Sequence, residues 1–305
     1  CHLFSFLFFT IFIYILEKVR KGNNKLLCLI PLIIIFWNNI HGGVVAGLGL
    51  LLMYAAGEFL NKNKFKQYII TFVVSALTLF INPWGYEYIK FLLMANSMQR
   101  PDVMEWWGLF SKFHLFKQIP FKIFMFFVLI FESTLIFKNI KTSQSLKTWY
   151  LKQDKVKLIV LISTLYLAIT HVKLLPFFSI AAVAYTYEDF YKLTSNMKFP
   201  LWKNKLVYTL LLFLSIFSLT AKEFSLPVME ETYPIKEVEF IKINHIKGNV
   251  LVNFGLGSYV SYKLYPNNLI FMDGRYEEVY YDYMVPMLKK FYLVKPGWDD
   301  ILIKY

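Results

Sequence analysis

Cysteine is nearly missing from this chain: Cys1 and Cys28 are the two among 305 residues. Both lie in or beside apolar stretches, so they support neither a disulfide framework nor a zinc spacing, and they read as inert thiols. Charge is scarce as well. Asp, Glu, Lys and Arg make up 17% of the chain, against about a quarter in soluble domains. A glycine-rich phosphate loop is also lacking, since Gly255-Leu-Gly257 has no third glycine to complete a dinucleotide fingerprint. The net charge of +13 gathers in short loops and forms no basic stripe with interleaved aromatics, which excludes nucleic acid as a partner. No internal repeat and no matching pair of Gly/Pro-broken helices is visible, which counts against a transporter.

What is present is apolar. Hydrophobic residues are 57% of the chain and aromatics 19%. They come in blocks at roughly 3–17, 26–39, 43–60, 68–82, 121–137, 156–170, 174–187 and 205–221. The pattern predicts an α-helical polytopic membrane protein of about eight transmembrane helices. Four lysine-rich loops alternate with these blocks: Lys18 to Lys25, Lys62 to Lys66, Lys138 to Lys157 and Lys192 to Lys205. Alternating helices put all four on one side, which the positive-inside rule makes cytoplasmic. The expected location is therefore a bacterial inner membrane, crossed many times, with residues after about Ala221 outside the cytoplasm. Because the chain opens on Cys1 within an apolar run and stops at Tyr305, it reads as a fragment truncated at both ends.

Two regions break the simple alternation. The segment 83–120 carries Trp84, Trp106, Trp107, Phe110, Phe113 and Phe116 among scattered charges, as an interfacial stretch would. The transmembrane domain is thus expected over 1–221, including this segment. Residues 222–305 form a small extracytoplasmic α/β tail. Helices are expected from Pro234 to about Ile246, to Leu264, to about Tyr292 and from Trp298. Strands are expected at Asn249–Phe254 and Leu269–Met272.

Several residues are candidates for chemistry. Asp273-Gly274-Arg275 follows the second expected strand, where a parallel sheet binds ligands, or else closes a turn as an ion pair. His41, followed by Gly42 and Gly43 and preceded by Asn38 and Asn39, can line a polar site or let two helices pack closely. Lys173, beside His171, can hold a lipid phosphate by charge or simply snorkel. Glu87, Asp102 and Glu105 are outward carboxylates suited to a general base or a divalent metal ion, with Arg100 placed to pair with Asp102. Glu132 lies within an apolar block and reads as a buried, hydrogen-bonded acid.

In order, Trp37-Asn-Asn-Ile-His41-Gly-Gly43, Asn82-Pro83-Trp-Gly85, Glu105-Trp106 and Lys173-Leu-Leu-Pro176-Phe-Phe178 resemble a family of bacterial polytopic membrane proteins. The tail adds Val250-Leu-Val-Asn253, Gly257-Ser-Tyr259 and Phe271-Met-Asp273-Gly274-Arg275. This family is similar to the GT-C-type glycosyltransferases that use polyprenyl-phosphate sugars. The resemblance implies inverting transfer of a sugar from such a donor to a glycan, lipid or protein acceptor of the cell envelope. It also implies a catalytic acid, or metal ligand, in a first outer loop expected upstream of Cys1. Lys173 stands where the family often has Arg, and Ser258 where a second glycine is common. Membrane lipids are the remaining expected partners. The alternatives are a non-enzymatic envelope-assembly protein whose tail binds a partner, and a transporter or flippase.

Overall fold

The computed structural model describes residues 2–98, 100–101, 103–143, 145–195, 209, 212–213, 232–275, 279–280 and 282–305. The chain divides into two compact units, Cys1–Lys198 and Phe199–Tyr305.

The first unit is helical. It contains α1 (His2–Arg20), a 3-10 turn at Asn24–Cys28, α2 (Leu29–Ile40), α3 (Val44–Leu60), α4 (Lys66–Thr78) and α5 (Tyr86–Ser97). A second 3-10 turn at Met104–Trp106 leads to α6 (Ile119–Thr142), α7 (Leu146–Lys152), α8 (Lys155–Thr170) and α9 (Leu175–Thr194). Local chemistry sets several of these starts. The Asp154 carboxylate accepts the Val156 N–H at 3.0 Å and caps α8. Pro120 and Pro176 stand in the first turns of α6 and α9, where a missing N–H is tolerated. The core runs along α1 through Phe9, Phe12, Leu16 and Val19, and meets Trp37, Leu51 and Tyr54 from α2 and α3. Gly57 lets α3 and α8 touch, since a Cβ there would lie 2.6 Å from the Val156 Cα.

The expectation of about eight spans is overturned. Among the described residues, two helices are long and apolar enough to cross a membrane, α1 and α6. The other blocks are apolar but cut short. At about 1.5 Å per residue, the 12 residues of α2 reach roughly 18 Å and the 13 of α4 roughly 20 Å, short of the roughly 30 Å of a hydrocarbon core. Helix stops account for this: α2 ends at His41-Gly42-Gly43, and α4 gives way to turns before Asn82-Pro83. In α9, Glu188, Asp189 and Lys192 interrupt the apolar run. The last expected block, 205–221, lies almost wholly outside the described residues.

The second unit contains α10 (Ile235–Ile243), α11 (Phe254–Leu264), α12 (Met284–Tyr292) and α13 (Asp300–Lys304). Val238, Val260 and Leu264 form its small core against Val250, Tyr259 and Ile270. The α/β expectation for this tail is also overturned, because no strand occurs among the described residues. The two segments read as strands do lie parallel, but through one bridge, Val250 with Ile270. Val250 N–H donates to Leu269 O at 2.8 Å, and Phe271 N–H donates to Val250 O at 3.1 Å. Pairing stops there because Asn253 turns the chain into α11, its side chain accepting the Gly255 N–H at 3.0 Å.

Candidate functional site

The corner between α2 and α3 is built around a histidine. His41 leaves the helix in an extended conformation, and its N–H still donates to Trp37 O at 2.9 Å. Its Nδ1 accepts the Gly43 N–H at 3.1 Å and lies 2.7 Å from Ser5 Oγ. A backbone N–H can only donate, so Nδ1 carries no proton, Ser5 donates its hydroxyl hydrogen to it, and the ring hydrogen sits on Nε2. Ser5 Oγ in turn accepts the Trp37 indole N–H at 2.8 Å. Gly43 is required here, since a Cβ would lie 2.5 Å from Ser5 Oγ and 2.7 Å from His41 Nδ1. Burial lowers the pKa of His41 to about 4, and the charges of His2 and Lys173 add to the effect. His41 is therefore a neutral hydrogen-bond donor at physiological pH.

A second strip joins this corner. Leu109 N–H donates to Ile169 O at 2.9 Å, and Val172 N–H donates to Trp107 O at 3.0 Å. These two bonds hold residues 105–109 against the turn after α8. Lys173 then lies 3.9 Å from Glu105 Oε2 and 5.2 Å from the centre of the Trp106 ring. The Arg100 guanidinium stacks on the same indole at 4.3 Å and donates to Ala95 O and Met98 O. His171 packs edge-on against Trp106 at 5.4 Å, its pKa lowered by burial and by the charge of Arg100.

Four of the residues singled out in the sequence thus gather at one end of the unit: His41, Arg100, Glu105 and Lys173. Asn38 does not join them. It is buried, and its amide nitrogen donates to Leu79 O at 3.3 Å, fastening α2 to the end of α4. Asp102 lies outside the described residues. Among the described residues no three His, Cys, Asp or Glu side chains are placed to hold a metal ion. In the other unit, Arg275 forms a bidentate pair with Asp273 (Nε to Oδ1 2.9 Å, Nη2 to Oδ2 2.8 Å) and donates to Tyr280 Oη at 3.0 Å. Burial works to raise the Asp273 pKa, but the Arg275 hydrogen bonds outweigh it and hold the carboxylate below its usual range. Gly274 N–H donates to Ser258 Oγ at 3.3 Å. That motif closes a turn.

Lys173 also borders a cavity of about 480 Å³ whose walls are mostly apolar, including Phe6, Phe121, Leu175, Pro176 and Ile180. A larger cavity, about 940 Å³, follows α1 and α9 and shares Ser179 and Ile180 with the first. It leads to an ion-pair network that sequence reading missed. Arg20 donates to Glu58 at 2.6 Å, Asp154 at 2.8 Å and Glu17 at 3.1 Å. Tyr54 donates to Glu17 at 2.7 Å and shares a short hydrogen bond with Tyr185. Lys157 pairs with Glu132 at 2.8 Å and Asp189 at 2.9 Å. The signal was the acids set within or at the ends of apolar blocks, which demand partners; Arg20 and Lys157 had been read as loop cations. No protein-family model, curated protein or solved structure matches this chain.

Proposed function

We propose that this is a membrane glycosyltransferase-like protein that takes a sugar from a polyprenyl-phosphate donor and passes it to a cell-envelope acceptor. The observation that carries the reading is the double position of Lys173. Its ammonium belongs to the charged, aromatic cluster at Trp106, and the residue also borders an apolar cavity. An amphiphile with an anionic head fits that combination: the chain in the cavity, the phosphate at Lys173. Neutral His41 supplies an N–H to the headgroup. The resemblance in sequence supplies the reaction. The acceptor oxygen attacks the anomeric carbon, the bond to the phosphate oxygen breaks, and the acceptor proton passes to a carboxylate, for which Glu105 is the described candidate.

The protein resides, on this reading, in a bacterial inner membrane with the Lys173 end outward. The lysine-rich turns at the opposite ends of α1 and α3 support that orientation. The test is transfer from labelled polyprenyl-phosphate sugars by the protein in proteoliposomes. Label should move to acceptor, and Lys173→Ala should reduce transfer by about tenfold or more, the loss of one charge-assisted contact. A folded protein that consumes no donor overturns the reading.

A further inference from the structure

Among the described residues of the second unit, the turn between α12 and α13 exposes a run of apolar side chains. Tyr292, Leu293, Val294 and Trp298 are all exposed there, Val294 at 70%. Lys290 and Lys295 bracket Tyr292, Leu293 and Val294, exposed as well, and the exposed Asp299 and Asp300 follow Trp298. The turn is a closed helix end: Lys295 N–H donates to Lys290 O at 3.0 Å and Val294 N–H to Phe291 O at 3.2 Å. That double bond pattern places one residue in the left-handed region, a position that glycine usually fills. Here it is Val294, with φ +48°.

The choice of residue is unfavourable twice over. A β-branched side chain in the left-handed region is strained, by about 1–3 kcal/mol. It also leaves an isopropyl group in solvent beside Leu293. Lys62 and His245 occupy the left-handed region at the ends of α3 and α10, and both are polar. A water-facing turn has no use for valine there. Strain at such a position points to a function for the side chain it displays.

We infer that residues 292–298 form a tip that inserts into the surface of an anionic bilayer. Leu293 and Val294 enter the acyl boundary, Tyr292 and Trp298 lie at headgroup depth, and Lys290 and Lys295 meet lipid phosphates. The chemistry favours this occupant. Aromatic side chains with one polar edge are suited to the interface, and lysines near an anionic surface contribute about 1 kcal/mol each. Protein interfaces are instead depleted in lysine relative to the rest of the surface. The inference does not depend on the glycosyl-transfer reading, and its test measures depth without measuring catalysis.

The test places a nitroxide at Leu293→Cys in the full chain, with Cys1→Ser and Cys28→Ser. The labelled protein is reconstituted in phosphatidylcholine vesicles with and without phosphatidylglycerol. With phosphatidylglycerol, the label should collide with oxygen and be shielded from a water-soluble nickel chelate. Lys290→Glu with Lys295→Glu, or omission of phosphatidylglycerol, should return it toward water. Val294→Gly should leave thermal stability equal or higher while making the label shallower, which separates a membrane role from a folding role. A label equally open to the chelate in both lipids overturns the inference. So does one shielded from both reagents, which would mean that protein covers the tip.

Discussion

The two ends of the first unit handle charge in opposite ways. At the Arg20 end, a guanidinium touches three carboxylates and Lys157 touches two, all within 3.1 Å. At the other end Lys173 lies over the Trp106 ring, and its contact with the Glu105 carboxylate is 3.9 Å long, to a side chain that is 69% exposed. One end is saturated and holds helices together. The other keeps a loosely paired lysine and a neutral histidine, where the proposed function places an anionic group. A dense ion-pair network marks structure, whereas a loosely met cation beside an apolar cavity is the feature on which the proposed binding end rests.

The sharpest way to break this comparison is at Arg20. Arg20→Met leaves Glu58 buried and unpaired, and should lower unfolding free energy by about 3 kcal/mol, read as a fall in melting temperature in detergent. A fall no larger than that of an exposed lysine substitution would show that the network is not structural. Next in size is Gly57→Ala. Its Cβ would meet the Val156 backbone, so α3 and α8 must part, with a loss of about 1–3 kcal/mol. A neutral result would mean that the two helices do not touch as described.

Lys173→Ala should separate stability from binding. Its contact with Glu105 is long and exposed, so stability should change by less than about 1 kcal/mol. Retention of a phosphate-headed lipid, measured by quantifying bound lipid after purification, should fall severalfold. Equal retention would make the two ends alike.

A further effect is a slope with pH at His41. Its folded-state pKa is lowered from 6.5 to about 4, so between those values the unfolded chain binds more protons than the folded one. Stability should therefore be fully present above 6.5, fall as pH drops toward 4, and level off below it. His41→Gln should flatten that part of the profile. An unchanged slope would assign it to other groups. The Asp273 carboxylate works in a lower range: its depressed pKa contributes stability that is lost on further acidification, and Asp273→Asn should remove that acid limb.

Much of the helix placement was legible in the sequence, and particular residues show why. The block 43–60 became α3 and 156–170 became α8, because apolar runs bounded by Gly43 and Asp154 carry their own start signals. Span counting failed for blocks such as 26–39 and 68–82 because it adds apolar residues without asking where helix stops fall. Strand prediction failed at Val250 and Ile270 because apolar extended runs become a sheet only when further neighbours pair with them. At the candidate site, His41 stood out as an ionisable ring beside Gly42-Gly43, and Lys173 as a cation on a short turn before Pro176. Ser5 did not, since nothing near it in the chain reveals that it donates to a ring 36 positions away.

By itself the sequence determined that the chain is helical over most of its apolar blocks, where those helices begin, and that its few charges would be expensive to leave unpaired. The tertiary structure alone decided which charges meet. Arg20 reaches Asp154 across 134 positions, and Lys173 reaches Trp106 because two backbone bonds tie residues 107–109 to 169–172. Helix formation is set by neighbours three or four residues apart, which a sequence displays. Partner choice is set by which helix faces pack together, and that depends on every element at once.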